Sequence, residues 1–260
     1  LYQMDYNDII QKHIESKADI SVATYPVNAK DATSFGILKS NEENVITSFI
    51  EKPSSDLLVD WKSDVGEEMR NQGREYLGSM GIYVFNRELL IKLMADESTV
   101  DFGKEIIPQS INKYKTVSYP FEGYWTDIGN IDSFFEANIG LTDDIPQFNL
   151  YDSKQRVYTN ARILPTSKIS GTSLDRAVVS EGCIIGAAKI EKSVIGIRSR
   201  IGKDSTIINT YMMGNDDYES LEGIYQNNTE ILVGIGERCF IKNTIIDKNV
   251  RIGDDVRING

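Results

Sequence analysis

The sequence predicts two kinds of structure in succession: an α/β domain with a mixed sheet over residues 1–145, and a parallel β-helix over residues 161–260. Strand-like and helix-like segments alternate in the first part, which is typical of an α/β domain. In the second part β-branched residues recur every six positions and are often followed by glycine. Residues 146–160 are polar with few periodic apolar positions, so we interpret them as a linker.

The elements of the first domain are assigned in chain order. Runs of β-branched and aromatic residues predict strands at Ile20–Tyr25, Phe35–Lys39, Val45–Ile50 and Tyr76–Phe85. Helical spacing predicts helices at Asn7–Lys17, Arg87–Met94, Lys104–Lys113 and Ile131–Gly140. The first strand is expected to end before Pro26, the next two to form a hairpin, and Pro108 to break or kink its helix. The polar segment Ser54–Gln72 is expected to be partly helical.

Two glycines, Gly78 and Gly81, interrupt the strand predicted at Tyr76–Phe85. A glycine inside a strand often marks a place where a ligand or another backbone comes close. This strand is therefore a candidate for part of a binding site.

The six-residue period defines the second domain. It joins Ile163 to Ile169 and also covers two longer series, Ile195, Ile201, Ile207 and Ile246, Ile252, Ile258. In a hexapeptide β-helix each such residue points into a triangular prism, small residues or glycine allow the corners, and each coil buries its core by stacking on the next. The alternative is an ordinary meander of short strands. Residues Gly214–Thr229 interrupt the period and are expected to project as a loop.

Composition limits the function. A net charge of −11 argues against a nucleic-acid-binding surface, and no apolar run approaches the roughly 20 residues of a membrane span. Cys183 and Cys239 are far apart in apolar contexts, so we expect reduced core thiols in a cytoplasmic protein. The single histidine, His13, restricts the available acid–base chemistry.

Glu51 and Lys52 directly follow a predicted strand and precede Pro53. A carboxylate accepts hydrogen bonds from sugar hydroxyls, and an ammonium neutralises a sugar phosphate. The alternative is an ordinary exposed ion pair, because Glu-Lys neighbours are common on protein surfaces.

Two further segments carry candidate side chains. Trp125 and Asp127 lie between two glycines, where Trp125 could pack on a sugar face or in the core. Asp127 could bind a hard cation such as Mg²⁺, or could instead cap the helix that starts near Ile131. In the polar-aromatic turn that starts at Asp101 and Phe102, the alternative reading is a helix N-terminus capped by Asp101.

Together these segments resemble the bacterial ADP-glucose pyrophosphorylases, in chain order and over nearly the whole length. The matching motifs are LYQMDY, FGIL, FIEKP, SMGIYVF, DFGKEIIP, GYWTDIG and YMMGNDDYES. The resemblance implies a Rossmann-like nucleotidyltransferase domain, present in part, followed by a left-handed parallel β-helix. The middle motifs are shared more widely among sugar-nucleotide pyrophosphorylases, whereas DFGKEIIP and YMMGNDDYES are more specific to the ADP-glucose branch.

The resemblance also implies roles for individual residues. Glu51 would bind glucose hydroxyls, Lys52 the phosphate of glucose 1-phosphate, and Asp127 would be one of two aspartates that hold Mg²⁺. The remaining substrate-binding residues would be Gly36, Ser79, Tyr83, Asp101, Phe102 and Trp125. We expect the second aspartate and a glycine-rich triphosphate loop to belong before Leu1, and effector-binding residues after Gly260. On that expectation the 260 residues alone would be inactive.

The implied reaction is ATP plus glucose 1-phosphate giving ADP-glucose and pyrophosphate, in bacterial glycogen synthesis by a homotetramer. Three alternatives remain. A β-helix acyltransferase typically needs a histidine in its coils, and His13 precedes them. A non-catalytic regulatory subunit would tend to lose residues such as Glu51, Lys52 and Asp127, which are present here. A pyrophosphorylase for another sugar nucleotide is the closest rival.

Overall fold

The computed structural model describes residues 1–95, 101–154, 156–220 and 231–260, which divide into two units. One unit is Met4–Gly123, and the other consists of Leu1–Gln3 with Tyr124–Gly260. The first contains a mixed sheet with helices, and the second contains the parallel β-helix. The predicted fold class is therefore confirmed in both parts. Among the described residues, no helix has the length and apolar character that crossing a bilayer requires.

Within its described residues, the Met4–Gly123 unit has a five-stranded sheet with the order β3-β2-β4-β1-β5. They are β1 (Ile20–Val27), β2 (Gly36–Ser40), β3 (Ile46–Glu51), β4 (Tyr76–Phe85) and β5 (Thr116–Pro120). The central strand β1 runs antiparallel to β4 and parallel to β5, and β2 with β3 forms the predicted hairpin. Apolar residues that include Ile20, Val22 and Leu38 form the core of this unit.

Short helices flank this sheet: α1 (Tyr6–Glu15), α2 (Ala29–Ala32), α3 (Glu67–Asn71), α4 (Arg87–Met94) and α5 (Ile107–Ser110), with a 3₁₀ turn at Leu58–Trp61. The α1 helix begins after Asp5, whose carboxylate accepts a hydrogen bond from the Asn7 amide. Its inner face buries Ile9 and His13 against the unit. A π-helical turn, Phe102–Ile106, runs directly into α5.

Three details differ from the expectations. Strand β1 continues through Pro26, because its pairing with β5 ends at Thr24 and a strand with one free side tolerates proline. The helix predicted at Lys104–Lys113 ends at Ser110, and Pro108 lies in the first turn of α5, where no amide donor is needed. Strand β5 was missing from the predicted elements.

In the second unit, the α-helix α6 (Ile131–Ile139) is followed by a 3₁₀ turn at Gly140–Thr142. In the part of the β-helix that the structure describes there are two parallel sheets. One is β6 (Lys168–Ile169), β8 (Ile184–Ile185), β10 (Arg200–Ile201), β12 (Gly234–Ile235) and β14 (Arg251–Ile252). The other is β7 (Ser173–Val179), β9 (Lys189–Ile195), β11 (Thr206–Met212), β13 (Phe240–Ile246) and β15 (Arg257–Asn259).

The register stacks like residues on one another. Ile190, Ile207, Ile241 and Ile258 are successive partners along one sheet. The prism interior is filled by isoleucines with Met212, Cys183 and Cys239, and each thiol donates a hydrogen bond to a main-chain carbonyl. Both cysteines are free and buried, as predicted.

Left-handed residues interrupt the extended backbone inside the long strands. Arg176, Lys192, Asn209 and Asn243 have φ values of 45°, 46°, 45° and 52°. Arginine, lysine and asparagine therefore occupy corners where small residues or glycine were expected. The Asn209 amide donates to the Asn243 side-chain oxygen at 2.9 Å, which links two neighbouring coils at this corner.

The start of the period and its interruption also differ from the simple repeat. Ile163 is fully exposed, so it does not contribute to the prism core as its place in the six-residue period predicted. The predicted loop Gly214–Thr229 lies between β11 and β12, and its part after residue 220 lies outside the described residues. The preceding residues are fixed to the β-helix, since the Asp216 carboxylate accepts hydrogen bonds from Lys248 and Asn249 at 2.8 Å each.

Adjacent isoleucines in β8 test the role of the prism core. Ile185 is 2% exposed and Ile184 is 48% exposed. We expect Ile185→Ala to lower the free energy of unfolding by about 2–5 kcal/mol, because it leaves a cavity in a stacked core. The matched change Ile184→Ala is expected to cost less than about 1 kcal/mol. Urea denaturation of both variants measures the difference, and equal losses would contradict the assigned register.

Candidate functional site

The open end of the β2-β3 hairpin places Gly36 opposite Glu51. A methyl group at position 36 would overlap the Phe49 ring and would lie 2.8 Å from Oε2 of Glu51. Glycine is therefore needed here to make room for an aromatic ring and a carboxylate. That the Gly36 backbone also approaches a sugar nucleotide stays a prediction.

Strand β3 ends at Glu51 because the next residue leaves the extended conformation. Lys52 has φ 47°, and its amide donates to the Phe35 carbonyl at 3.0 Å. Pro53 is buried and follows directly, while the Lys52 side chain is exposed. This local geometry fixes the backbone of Lys52 and leaves its ammonium free to move in solvent.

Glu51 is half-buried, and burial raises the pKa of its carboxyl above the ordinary value. Lys52 and Lys104 act in the opposite direction on this pKa, whereas Asp101 raises it further. The carboxylate therefore lies among two cations and one anion, partly removed from water. A partly desolvated acceptor of this kind forms stronger hydrogen bonds with a ligand than an exposed one does.

A bulge in β4 supplies two hydroxyl groups. Ser79 pairs with Thr24 and Tyr83 with Val22, so the three residues between Ser79 and Tyr83 lie opposite a single residue of β1. Gly81, with φ 72°, makes this possible, and its amide donates to the Ser79 hydroxyl at 3.3 Å. The hydroxyls of Ser79 and Tyr83 are 3.4 Å apart. Gly81, one of the two glycines noted in this strand of the sequence, thus provides the backbone conformation that the bulge requires.

The turn at Asp101 is a capped helix start, as the alternative interpretation held. The Asp101 carboxylate accepts from the Lys104 amide at 2.9 Å, and this hydrogen bond lowers the pKa of Asp101. In return, the Asp101 amide donates to the Glu105 carboxylate at 3.1 Å. These reciprocal bonds fix the turn. A direct contact of Asp101 with substrate remains a prediction.

An aromatic stack joins this turn to the bulge. The rings of Phe102 and Tyr83 lie 5.9 Å apart with an interplanar angle of 19°, and Phe85 packs against Phe102 at 5.7 Å. Burial raises the pKa of Tyr83, and the charges of Glu51 and Asp101 raise it further. The Tyr83 hydroxyl is therefore a neutral donor close to two carboxylates.

The Met4–Gly123 unit thus brings together most of the predicted site. The members are Gly36, Glu51, Lys52, Ser79, Tyr83, Asp101 and Phe102. They offer carboxylates, hydroxyls, an ammonium and an aromatic surface, which suits a polyhydroxy ligand that carries an anionic group. Sequence reasoning did not select Gly103 and Lys104 as site residues, although both lie in the motif that contains Asp101.

Trp125 and Asp127 belong to the other unit. Trp125 is half-buried and forms an antiparallel bridge with Tyr2. Asp127 does not cap α6, because the Asn130 side chain accepts the hydrogen bond from the Ser133 amide at 2.8 Å. The capping interpretation of Asp127 was therefore wrong.

The Asp127 carboxylate lies close to Gly129, because a methyl group added at Gly129 would lie 3.0 Å from Oδ2 of Asp127. Within the described ranges, no three His, Cys, Asp or Glu side chains are grouped so that they could hold a metal ion. Magnesium is often bound by one or two carboxylates together with substrate phosphates, so the donor chemistry of Asp127 fits such a shared site. Its role as a magnesium ligand stays a prediction.

Comparison with protein families gives the context of this site. The family model described as nucleotidyl transferase matches residues 1–144, more than half of the chain. The chain belongs to the nucleotidyl transferase family. A second model, described as the GLGC left-handed parallel beta-helix domain, matches residues 162–260 and confirms the predicted hand of the coil. This pair of domains supports a sugar-nucleotide pyrophosphorylase, a nucleotidyltransferase that acts on a nucleotide and a sugar phosphate.

Proposed function

We propose that this nucleotidyl transferase forms ADP-glucose and pyrophosphate from ATP and glucose 1-phosphate, as a cytoplasmic homotetramer in bacterial glycogen synthesis. The observation that carries the proposal is the convergence of Glu51, Lys52, Tyr83 and Phe102 inside a nucleotidyl transferase domain. The choice of glucose and adenine rests on the motif resemblance and on the GLGC type of β-helix.

The proposed site binds the sugar through complementary hydrogen bonding. Glu51 accepts hydrogen bonds from glucose hydroxyls, and the hydroxyls of Ser79 and Tyr83 donate to or accept from the same ring. The stacked face of Phe102, which is partly exposed, provides an apolar surface beside them. Hydrogen bonds to an ionised acceptor are about twice as strong as neutral ones, so Glu51 is expected to contribute most to recognition.

The Lys52 ammonium is proposed to neutralise the sugar phosphate. A phosphate oxygen then attacks the α-phosphorus of ATP in line with the departing pyrophosphate. Because that oxygen is already anionic, positioning and charge neutralisation suffice and no general base is required. His13 has a structural role instead: it is buried, and its ring is hydrogen-bonded to the Ser21 hydroxyl at 2.8 Å and to the Asn86 side-chain oxygen at 3.3 Å.

Asp127 would hold magnesium, which supplies charge neutralisation at the phosphates when bound. The chain's own contribution is one carboxylate, fixed beside Gly129 in a segment paired to Leu1–Gln3. This part of the proposal rests on the motif around Asp127.

Replacing Lys52 tests the sugar-phosphate site. We expect Lys52→Ala to weaken binding of glucose 1-phosphate by about 10- to 100-fold, the range for loss of a hydrogen bond between charged groups. Isothermal titration calorimetry measures the dissociation constant, and Lys30→Ala, an exposed lysine of α2, is the matched control. Equal affinities of the two variants would rule out the assigned role of Lys52.

The pH dependence tests Glu51. At neutral pH the ionised carboxylate should make the wild type bind glucose 1-phosphate about tenfold more tightly than Glu51→Gln. The pKa of Glu51 is raised, so this advantage should disappear as the pH falls from about 7.5 towards about 4.5 and the carboxyl takes up its proton. Titration of the phosphate affects both proteins equally and cancels in the ratio of the two dissociation constants. A ratio that stays constant over this range would exclude ionised Glu51 as the sugar acceptor.

The nucleotide is tested by turnover. The assay uses the full-length protein and compares pyrophosphate release from ATP, GTP, CTP, UTP and dTTP with glucose 1-phosphate. Fastest release from ATP is the expected result. Preference for another nucleotide would replace ADP-glucose by that sugar nucleotide, and absence of release with all five would favour the regulatory-subunit alternative.

A further inference from the structure

The carboxylate of Glu51 lies between two glycines from different segments. On one side is Gly36 of β2, where a methyl group would lie 2.8 Å from Oε2. On the other is Gly103, where a methyl group would lie 3.0 Å from Oε2 and 3.3 Å from the carboxylate carbon. These distances are shorter than ordinary carbon–oxygen contacts, so the missing side chains define the space that the carboxylate occupies.

The backbone itself does not require glycine at position 103. Gly103 is not among the residues with positive φ, in contrast to Gly81. It lies inside the π-helical turn Phe102–Ile106, where alanine has the better helical propensity. The glycine at position 103 is therefore explained by the nearby Glu51 carboxylate and not by the backbone conformation of Gly103.

We propose that Gly103 is a positioning residue that holds the Glu51 carboxylate in the orientation needed to accept hydrogen bonds from the sugar. This inference rests on the proposed function for its ligand. With alanine at position 103 the carboxylate cannot retreat towards Gly36, because the Phe49 ring fills the space that a side chain at position 36 would occupy. The remaining direction is outward into water, away from the place where it meets the sugar.

The experiment compares Gly103→Ala with the wild type. We expect about tenfold weaker binding of glucose 1-phosphate in calorimetry, with a midpoint of thermal unfolding that is unchanged or higher. The matched control is Gly140→Ala, since Gly140 has φ −57° and no atom within 4 Å of an added methyl group. Wild-type affinity in Gly103→Ala would overturn the proposal, and so would a loss of affinity that merely follows a loss of stability.

A double-mutant comparison identifies the residue through which Gly103 acts. In a Glu51→Ala background the nearest carboxylate oxygen to the added methyl group is Oδ1 of Asp101 at 3.5 Å, an ordinary contact, so Gly103→Ala should cause no further loss of affinity. Equal losses in both backgrounds would show that Gly103 acts through another group, which would overturn the proposal.

A readout without ligand separates this inference from the proposed function. Carbon-13 NMR of the side-chain carboxyl follows the titration of Glu51, which faces Lys52, Asp101 and Lys104. Moving the carboxylate outward reduces its burial, so Gly103→Ala should lower the pKa of Glu51 towards the ordinary value. An unchanged titration would overturn the proposal whatever the binding result. A shifted titration in a protein whose wild type does not bind glucose 1-phosphate would support the positioning role and reject the proposed ligand.

Discussion

The candidate site depends on one half-buried carboxylate, around which the other candidate side chains are grouped. Glu51 ends a strand, and three segments are shaped around it: a hairpin partner without a side chain, a bulge that brings two hydroxyls, and a capped turn. Burial removes water from one side of the Glu51 carboxyl and raises its pKa, whereas the ammonium groups of Lys52 and Lys104 lower this pKa. The elements of the Met4–Gly123 unit thus serve to keep one charged acceptor at a fixed place.

The β-helix satisfies a different constraint. Each coil is too thin to exclude water by itself, so its isoleucines become a core only when the next coil covers them. Parallel register puts Ile190, Ile207 and Ile241 in line, and polar groups that enter the prism are paired, as the two thiols show. The β-helix is thus stabilised by contacts between successive coils, whereas the Met4–Gly123 unit packs its mixed sheet on one apolar core.

The sequence was most informative where a local pattern decides the structure. The bounds of β4 and α4 agree with the prediction residue for residue, and the β2-β3 hairpin is correct, because their apolar runs are bounded by turn residues. Strand β5 was not predicted because its five residues have mixed polarity and no strand pattern of their own. They form a strand by pairing with β1. The cap at Asn130 was missed for a similar reason: Asp127 is an equally good capping residue, and only backbone geometry chooses between them. The chemistry of Glu51 and Lys52 could be inferred from side-chain type, but the space around Glu51 could not, since it is formed by residues distant in sequence.

The asparagine corner of the β-helix has a consequence for how its coils are joined. Asn209 and Asn243 are in direct hydrogen-bond contact although the interruption after β11 separates them along the chain. The coils before and after the interruption therefore share one register. The described coils on the two sides of the interruption thus behave as neighbours in one stacked array, in which each coil is stabilised by the next.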